Sequence, residues 1–481
     1  MVFISVRKTL SLASIQNQPY KQGLYSGLCD FPGKCVWMFS KKDLYRLLWP
    51  LIIEQLLNVL VGMVDVLMVS SVGEAAVSGV SLVDSISILV IQVLSALATG
   101  GAVVCSRLIG AKDFPKARKA AGQLMLVTIL GAGGVALLCL LGGRAFLGLI
   151  FGSVTEEVMD NAWLYFRLTA LSYPFLGLYN SSAALFRSMG NSRISMKTSL
   201  FMNGLNAAGN AFCIFVLKMG IAGVAIPTLV ARISAALLIT VLLHDPANPV
   251  RVSSIRDLVP NRILIGQILS IGIPNGMESG MFQFGKLILQ SLVSSLGTSS
   301  IAAYAVACNL VTFLYLPGNS LSLGMITIVG QCIGARRYDE AKSYTRQLVG
   351  LNYLLLAFIA TTMALGRNVF VGFYNLSPEA ASIAAYMVLI HSLAMIIWPP
   401  SFCMPSAFRA AGEASFCMLV SVSIMWIFRV GGAYLFVRCF GIGVEGIWYA
   451  MFIDWIARFI IYLLHFRGFT DRLKKREEMA G

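Results

Sequence analysis

Residues Pro50-Leu51-Ile52-Ile53-Glu54-Gln55-Leu56-Leu57-Asn58 open a segment, 50–111, that the chain writes a second time at 274–335, beginning Pro274-Asn275-Gly276-Met277-Glu278. The two copies lie 224 positions apart and align without a gap. Pro50 matches Pro274, Glu54 matches Glu278 and Gly73 matches Gly297. Ile109-Gly110-Ala111-Lys112 matches Ile333-Gly334-Ala335-Arg336. Each copy sets a glutamate inside an apolar helix, where an ionisable group is tolerated only against protein or water. A duplicated membrane unit with acids at matched positions is the pattern of a transporter with two halves and a central site.

Working outward, the chain of 481 residues is 57% hydrophobic and 12% charged, against about 25% charged in soluble proteins. Apolar runs recur along nearly its whole length, each long enough to cross a hydrocarbon layer of roughly 30 Å. The fold class expected is therefore an all-α polytopic membrane protein. Twelve candidate helices lie near 46–71, 83–106, 120–142, 158–186, 194–217, 221–243, 264–295, 304–330, 347–366, 380–408, 414–437 and 446–465. Six per half is even, so both halves enter from the same side and form parallel repeats about an axis along the membrane normal.

Basic residues give the orientation. Twenty-eight of the 37 Lys and Arg fall on the side bearing the termini, four in the opposite loops and five within helices. By the positive-inside rule both termini are cytoplasmic. The net charge of +15 thus reports topology, and nucleic-acid binding is excluded as its explanation. The domain reading is a cytoplasmic N-terminal leader at 1–45, a six-helix bundle at 46–243, a cytoplasmic linker with room for a short surface helix at 244–263, a second bundle at 264–466, and a basic cytoplasmic tail at 467–481. The leader is polar and basic, with no apolar stretch suited to a signal peptide. It is either disordered or lies ahead of a natural start at Met38.

Polar stripes name the candidate site. Glu54, Asn58 and Asp65 fall at about 0°, 40° and 20° on a wheel of 100° per residue, with the two acids roughly 16 Å apart along the axis. Ser199, Asn203, Asn206 and Asn210 share one face of helix five within about 60°, and Thr228 adds a hydroxyl from helix six. Carboxylate, amide and hydroxyl oxygens suit a hard monovalent cation or a protonatable site. The bland alternatives are a snorkelling or loop-capping Asp65, a structural hydrogen bond at Glu54, and asparagines acting as helix-to-helix glue. In the second half, Glu278 shares its helix with Gln283, Lys286 and Gln290, and Lys286 is long enough to approach an acid on another helix. Arg429 sits mid-span, and Asp454 and Arg458 have the i, i+4 spacing of a pair. A buried ion-pair network holding helices in register is the bland reading of this group. His391 packs or titrates within helix ten. Ten cysteines without CxxC pairs and three histidines without metal spacing exclude a disulfide framework and a zinc site.

In this order and written twice, several motifs resemble the multidrug and toxic compound extrusion (MATE) family, in its bacterial DinF-like branch. The carriers are Gln55-Leu56-Leu57-Asn58 with Asp65 and Gly73, the Gly110-Ala111-Lys112 and Gly334-Ala335-Arg336 turns, and Gly330-Gln331. The Asn206/Asn210 helix leading to Gly220 and Gly223 follows, with Gly441-Ile442-Gly443 before Trp448. The resemblance covers residues 40–470. It implies two six-helix bundles around a cleft that opens alternately to either side of the inner membrane. It further implies export of amphipathic, often cationic, drugs in exchange for Na⁺ or H⁺. The family's cation site carries over onto Asp65, Asn206, Asn210 and Thr228, with Na⁺ at Asp65 as the one candidate metal ion and no other cofactor. Glu54, Asn58, Asn203 and Glu278 complete a polar lining of the cavity. Two departures stand out. Many members carry a second acid where this chain has Asn210, and other branches carry an acid deeper in helix seven, where Phe282 and Gln283 stand. The expected partners are small organic substrates and the lipid bilayer, with no obligatory protein partner. The rival reading is a lipid-linked precursor flippase of related fold. An intramembrane enzyme is disfavoured by the lack of HExxH, of a Ser/His pairing and of a metal cluster, and a scaffold by the lack of an extramembrane domain.

Overall fold

Ser40 opens the first helix with a reciprocal cap: its hydroxyl accepts from the Asp43 amide, and the Asp43 carboxylate accepts from the Ser40 amide. The Ser-Lys-Lys-Asp spacing writes this capping box in the sequence, and helix α1 (Lys41–Ser70) starts five residues before the position expected from hydropathy. The computed structural model describes residues 37–152, 154–252 and 255–480. The leader expected at 1–45 lies mostly outside the described residues. Its described end is not loose: Phe39 is buried, and its backbone both donates to and accepts from the Tyr344 hydroxyl at 2.9 Å.

The chain then alternates long helices with short turns: α2 (Glu74–Gly110), α3 (Phe114–Phe151), α4 (Glu156–Ser188), α5 (Ser192–Ala211), α6 (Ala222–Leu243), α7 (Arg262–Ser294), α8 (Thr298–Gly334), α9 (Tyr338–Gly372), α10 (Pro378–Ala394), α11 (Ala414–Ile424) and α12 (Glu445–Arg467). These match the twelve expected spans one for one, and strands are absent among the described residues. Ten are long and apolar enough to cross a membrane by length and composition. The more polar α4 and α7 pack along other helices, α4 on α2, α3 and α6, and α7 on α2 and α11. Large apolar side chains such as Leu149 (85% exposed) and Leu365 (80%) point away from the protein, as a lipid-facing surface requires.

Two spans are less regular than hydropathy suggests. Helix α10 runs into a 3₁₀ turn (Met395–Ile397), a π turn (Pro399–Cys403) and a last helical turn (Pro405–Ala410), because Pro399, Pro400 and Pro405 each lack an amide donor. Helix α11 continues through a π turn (Met425–Gly431) and a second one (Leu435–Cys439). The tail expected as merely basic forms α13 (Phe469–Ala480), held by Arg336–Glu477 at 2.8 Å and by Arg472 and Arg476 on Glu413 at 3.2 Å.

Helices α1–α6 and α7–α12 form two lobes that meet at the end where the described residues begin and finish, near Phe39 and α13. There, Leu47 and Leu48 of α1 share a core with Leu321 and Met325 of α8, and Cys105 and Ile109 of α2 share one with Leu264 and Ile268 of α7. At the opposite end each lobe has its own core, and neither core contains a residue of the other lobe. The seam is tightest where α2 crosses α8. A Cβ on Gly110 would collide with the Gln331 carbonyl, and a Cβ on Gly334 with the Arg107 carbonyl. The contact is reciprocal, as a pseudo-twofold axis through that crossing demands. The next turn is matched as well, with Lys112 and Arg336 both at φ 60°. Across the seam Arg107 donates to the Ala410 carbonyl at 2.6 and 2.8 Å, and Gln331 donates to the Ser188 carbonyl at 2.7 Å. The linker is fastened to α3 by Gln123, whose amide donates to the carbonyls of Asp257 and Val259, each at 2.9 Å.

Candidate functional site

On α1 the stripe expected from the wheel does face α5, and three separate contacts run along it. Nearest the seam, Ser195 donates to both oxygens of the buried Glu54 at 3.0 and 3.1 Å, while Arg187 lies 3.8 Å from the same carboxylate. One turn on, Asn58 Oδ1 accepts from Ser199 at 3.0 Å and from Asn203 at 2.8 Å. Farthest from the seam, Asp65 Oδ1 accepts from Asn210 Nδ2 at 3.1 Å. That nitrogen also donates to Asn206 Oδ1 at 2.7 Å, and Asn206 donates to Thr228 Oγ1 at 3.1 Å. Thr228 in turn donates to the Val224 carbonyl at 2.9 Å. All four residues expected at the cation site therefore join one hydrogen-bonded chain across α1, α5 and α6. Asn210 is 1% exposed, and its Oδ1 is a buried acceptor with no protein donor. An oxygen of that kind is uncommon in a native interior and suits a hard cation or the O–H of a protonated carboxyl. The backbone loosens just beyond it, in the π turn Phe212–Val216.

Sequence reasoning missed one acid. Asp84 on α2 accepts from Tyr165 at 3.3 Å and has Arg232 and Asp65 as charged neighbours. Its place ten residues into α2, inside Ser81-Leu82-Val83-Asp84-Ser85, resembles a loop-proximal polar run. The available signal was the repeat itself, since Asp84 aligns with Cys308 and breaks the match.

Glu278 is not part of the stripe's polar chemistry. Arg409 Nη2 donates to both its oxygens, at 2.9 and 2.8 Å. Arg187 and Arg409 head the same Phe-Arg-x-x-Gly sequence, at Phe186–Gly190 and Phe408–Gly412, and both glycines take a positive φ, 81° and 75°. The two buried glutamates thus meet equivalent arginines at equivalent turns, one lobe each. That motif was overlooked because its offset is 222 rather than 224.

The rest of the second lobe carries an ion-pair network. Asp454 is fully buried and receives Arg458 at 2.8 Å and Arg429 at 3.1 Å. His391 packs among Trp448 and Trp455 with Tyr315 at 2.9 Å. Lys286 approaches no acid: among the described residues its contact is the Phe282 ring, 5.4 Å from the nitrogen, and Arg429 lies 5.3 Å from the same ring. Among the described residues no cluster of three or more His, Cys, Asp or Glu could hold a metal ion.

Comparison with known proteins now fits what the geometry displays. The family model MatE matches residues 50–212 and 274–435, one match on each repeat. The transporter YisQ of Bacillus subtilis, itself described as uncharacterized, is 26% identical over 91% of this chain and 96% of its own. The multidrug export protein MepA of Staphylococcus aureus is 22% identical over 80% of this chain and 86% of its own. A solved structure described as the outward-facing conformation of a multidrug resistance MATE family transporter superposes with a TM-score of 0.85, at 19% identity, over 90% of this chain and 97% of that one. With both repeats matched and the two-lobe, twelve-helix fold in place, this chain belongs to the MATE family of multidrug efflux transporters, and it is a transporter rather than an enzyme.

Proposed function

We propose that the chain is a Na⁺- or H⁺-coupled antiporter of the cytoplasmic membrane that exports amphipathic organic compounds, cationic ones among them, by alternating access. The single observation that carries this reading is the chain Asp65–Asn210–Asn206–Thr228, a carboxylate backed by two amides and a hydroxyl. It lies in the lobe half that shares no core with the other lobe. With both termini cytoplasmic, as the basic-residue asymmetry supports, the cleft between the lobes opens outward. Ion binding at Asp65 and drug binding in the cleft then favour opposite sides of the inward–outward equilibrium, and the flux of one drives the other through that differential affinity. Glu54 and Glu278, each paired with an arginine near the seam, serve as lobe-internal fasteners. Asn58 and Asn203 line the path between Glu54 and the cation site.

A second reading, a lipid-linked precursor flippase, is favoured by Lys286 and Arg429 on the second lobe. It is opposed by Asp65 and Asp84 on the first, which would repel a diphosphate headgroup. Proteoliposomes loaded with a fluorescent organic cation decide between the two. An antiporter moves the dye only under an imposed Na⁺ or H⁺ gradient, and the ion that drives it is the coupling ion. Dye movement indifferent to both gradients, or none at all, refutes the proposal.

A further inference from the structure

The second lobe presents a cationic wall where the first presents acids. By the repeat register, Lys286 occupies the position of Gly62, Phe282 that of Asn58, Leu289 that of Asp65 and Cys308 that of Asp84. A Cβ on Gly62 would meet nothing within 4 Å, so this face of α1 borders open space. Lys286 extends from the equivalent face of α7.

The lysine is exposed, yet it is not a snorkelling residue. A snorkelling lysine carries its ammonium toward headgroup water. Lys286 instead lies beside Arg429 of α11 and Cys308 of α8 and flanks Phe282 together with that arginine. Two cations around one ring each gain from its π face, but they repel one another. Among the described residues Arg429 pairs with the Asp454 carboxylate, which Arg458 already shares, and Lys286 pairs with none. Arg429 also keeps a buried Nε with no acceptor. It sits in the π turn Met425–Gly431, a distortion that recurs at functional sites.

We propose that Lys286 and Arg429, set around Phe282, form a subsite for the anionic group of an amphipathic substrate, a carboxylate or an acid of similar size. The inference rests on the cleft being the substrate path. It narrows the substrate class to amphiphiles that carry an acid group, above all zwitterions. The acid group meets Lys286, with the buried Arg429 adding positive charge from behind Phe282; an aromatic portion lies on Phe282, and a basic end points to Asp65 and Asp84 across the cleft. Lys286 supplies the mobile charge and donor, and Arg429, anchored by Asp454, a fixed positive charge.

The test uses the full chain in nanodiscs and two probes: a rhodamine with a free carboxylate and the same dye as its methyl ester. Removing a charged hydrogen-bond donor is expected to weaken binding about 10- to 100-fold. Lys286→Gln should therefore weaken the carboxylate dye to that extent while changing the ester's affinity less than about twofold. Lys286→Arg should restore carboxylate binding. Because Lys286 makes no ion pair, the thermal midpoint of Lys286→Gln should match wild type, which separates loss of the subsite from loss of fold. Equal weakening of both dyes, no weakening of either, or a wild-type protein that binds the ester alone overturns the subsite while leaving cleft transport standing. A wild-type protein that binds neither dye overturns the subsite and the cleft reading together.

Discussion

The two lobes are the same structure with opposite interiors. Their frames agree closely: Gly73 and Gly297 open α2 and α8 with positive φ, Lys112 and Arg336 turn alike, and Glu54–Arg187 is answered by Glu278–Arg409. Away from the seam the agreement stops. The first lobe offers Asp65, Asp84 and the asparagines of α5, whereas the register gives the second Leu289, Cys308 and Lys286, and α11 adds Arg429. The shared positions are those that hold helices together and let the lobes meet, and the divergent ones lie away from that seam, Leu289 within the second lobe's own core. Duplication preserved the scaffold, and the lining became free to specialise.

That contrast can be broken at several points, beginning with the greatest loss. Asp65→Asn should reduce gradient-driven dye efflux from proteoliposomes to that of protein-free vesicles. Cys308→Ala, at the counterpart of Asp84, should leave the efflux near wild type, since a neutral thiol there has no charge to couple. Next, Glu278→Gln leaves Arg409 buried without its partner, a loss of about 3–5 kcal/mol, read as a lower thermal midpoint in detergent. Glu54→Gln should lose less, because Arg187 stands off at 3.8 Å and Ser195 remains a hydrogen-bond partner for the amide. Gly334→Leu should then force α8 away from Arg107 and widen the distance between spin labels at positions 112 and 336. An unchanged distance would mean that the glycine crossing does not set the closed end. A smaller loss than these belongs to Asn206→Ala, which removes the donor to Thr228 and the acceptor for Asn210. Losing two neutral hydrogen bonds of about 1 kcal/mol each predicts a coupling-ion affinity weaker by roughly 5- to 30-fold, measured by titrating the ion against transport rate.

How much of this the sequence discloses depends on the residue. The twelve helices were legible because a lipid-facing helix must be apolar throughout, and glycine or charge marks each turn. The first helix start was also legible, through Ser40 and Asp43, although hydropathy placed it later. The Asp65–Asn210–Asn206–Thr228 grouping needed the resemblance as well as the wheel, since helix spacing puts residues on one face without saying which helix they meet. Lys286 shows the limit of the wheel: its length suggested an acid partner, and the fold gives it a ring and another cation instead. Glu278 shows another. Its match to Glu54 was plain, but the arginine that occupies it lies 131 residues away, in a turn that looked like a surface loop.

The central claim is that the first lobe holds the coupling carboxylate and the second does not. It is tested most directly by recording dye efflux and ion counterflux together, in the same proteoliposomes, for wild type, Asp65→Asn and Lys286→Gln. The account predicts a fixed ratio of ion to ester dye in wild type and in Lys286→Gln, and no counterflux in Asp65→Asn. Counterflux that survives in Asp65→Asn, or disappears in Lys286→Gln, would contradict it.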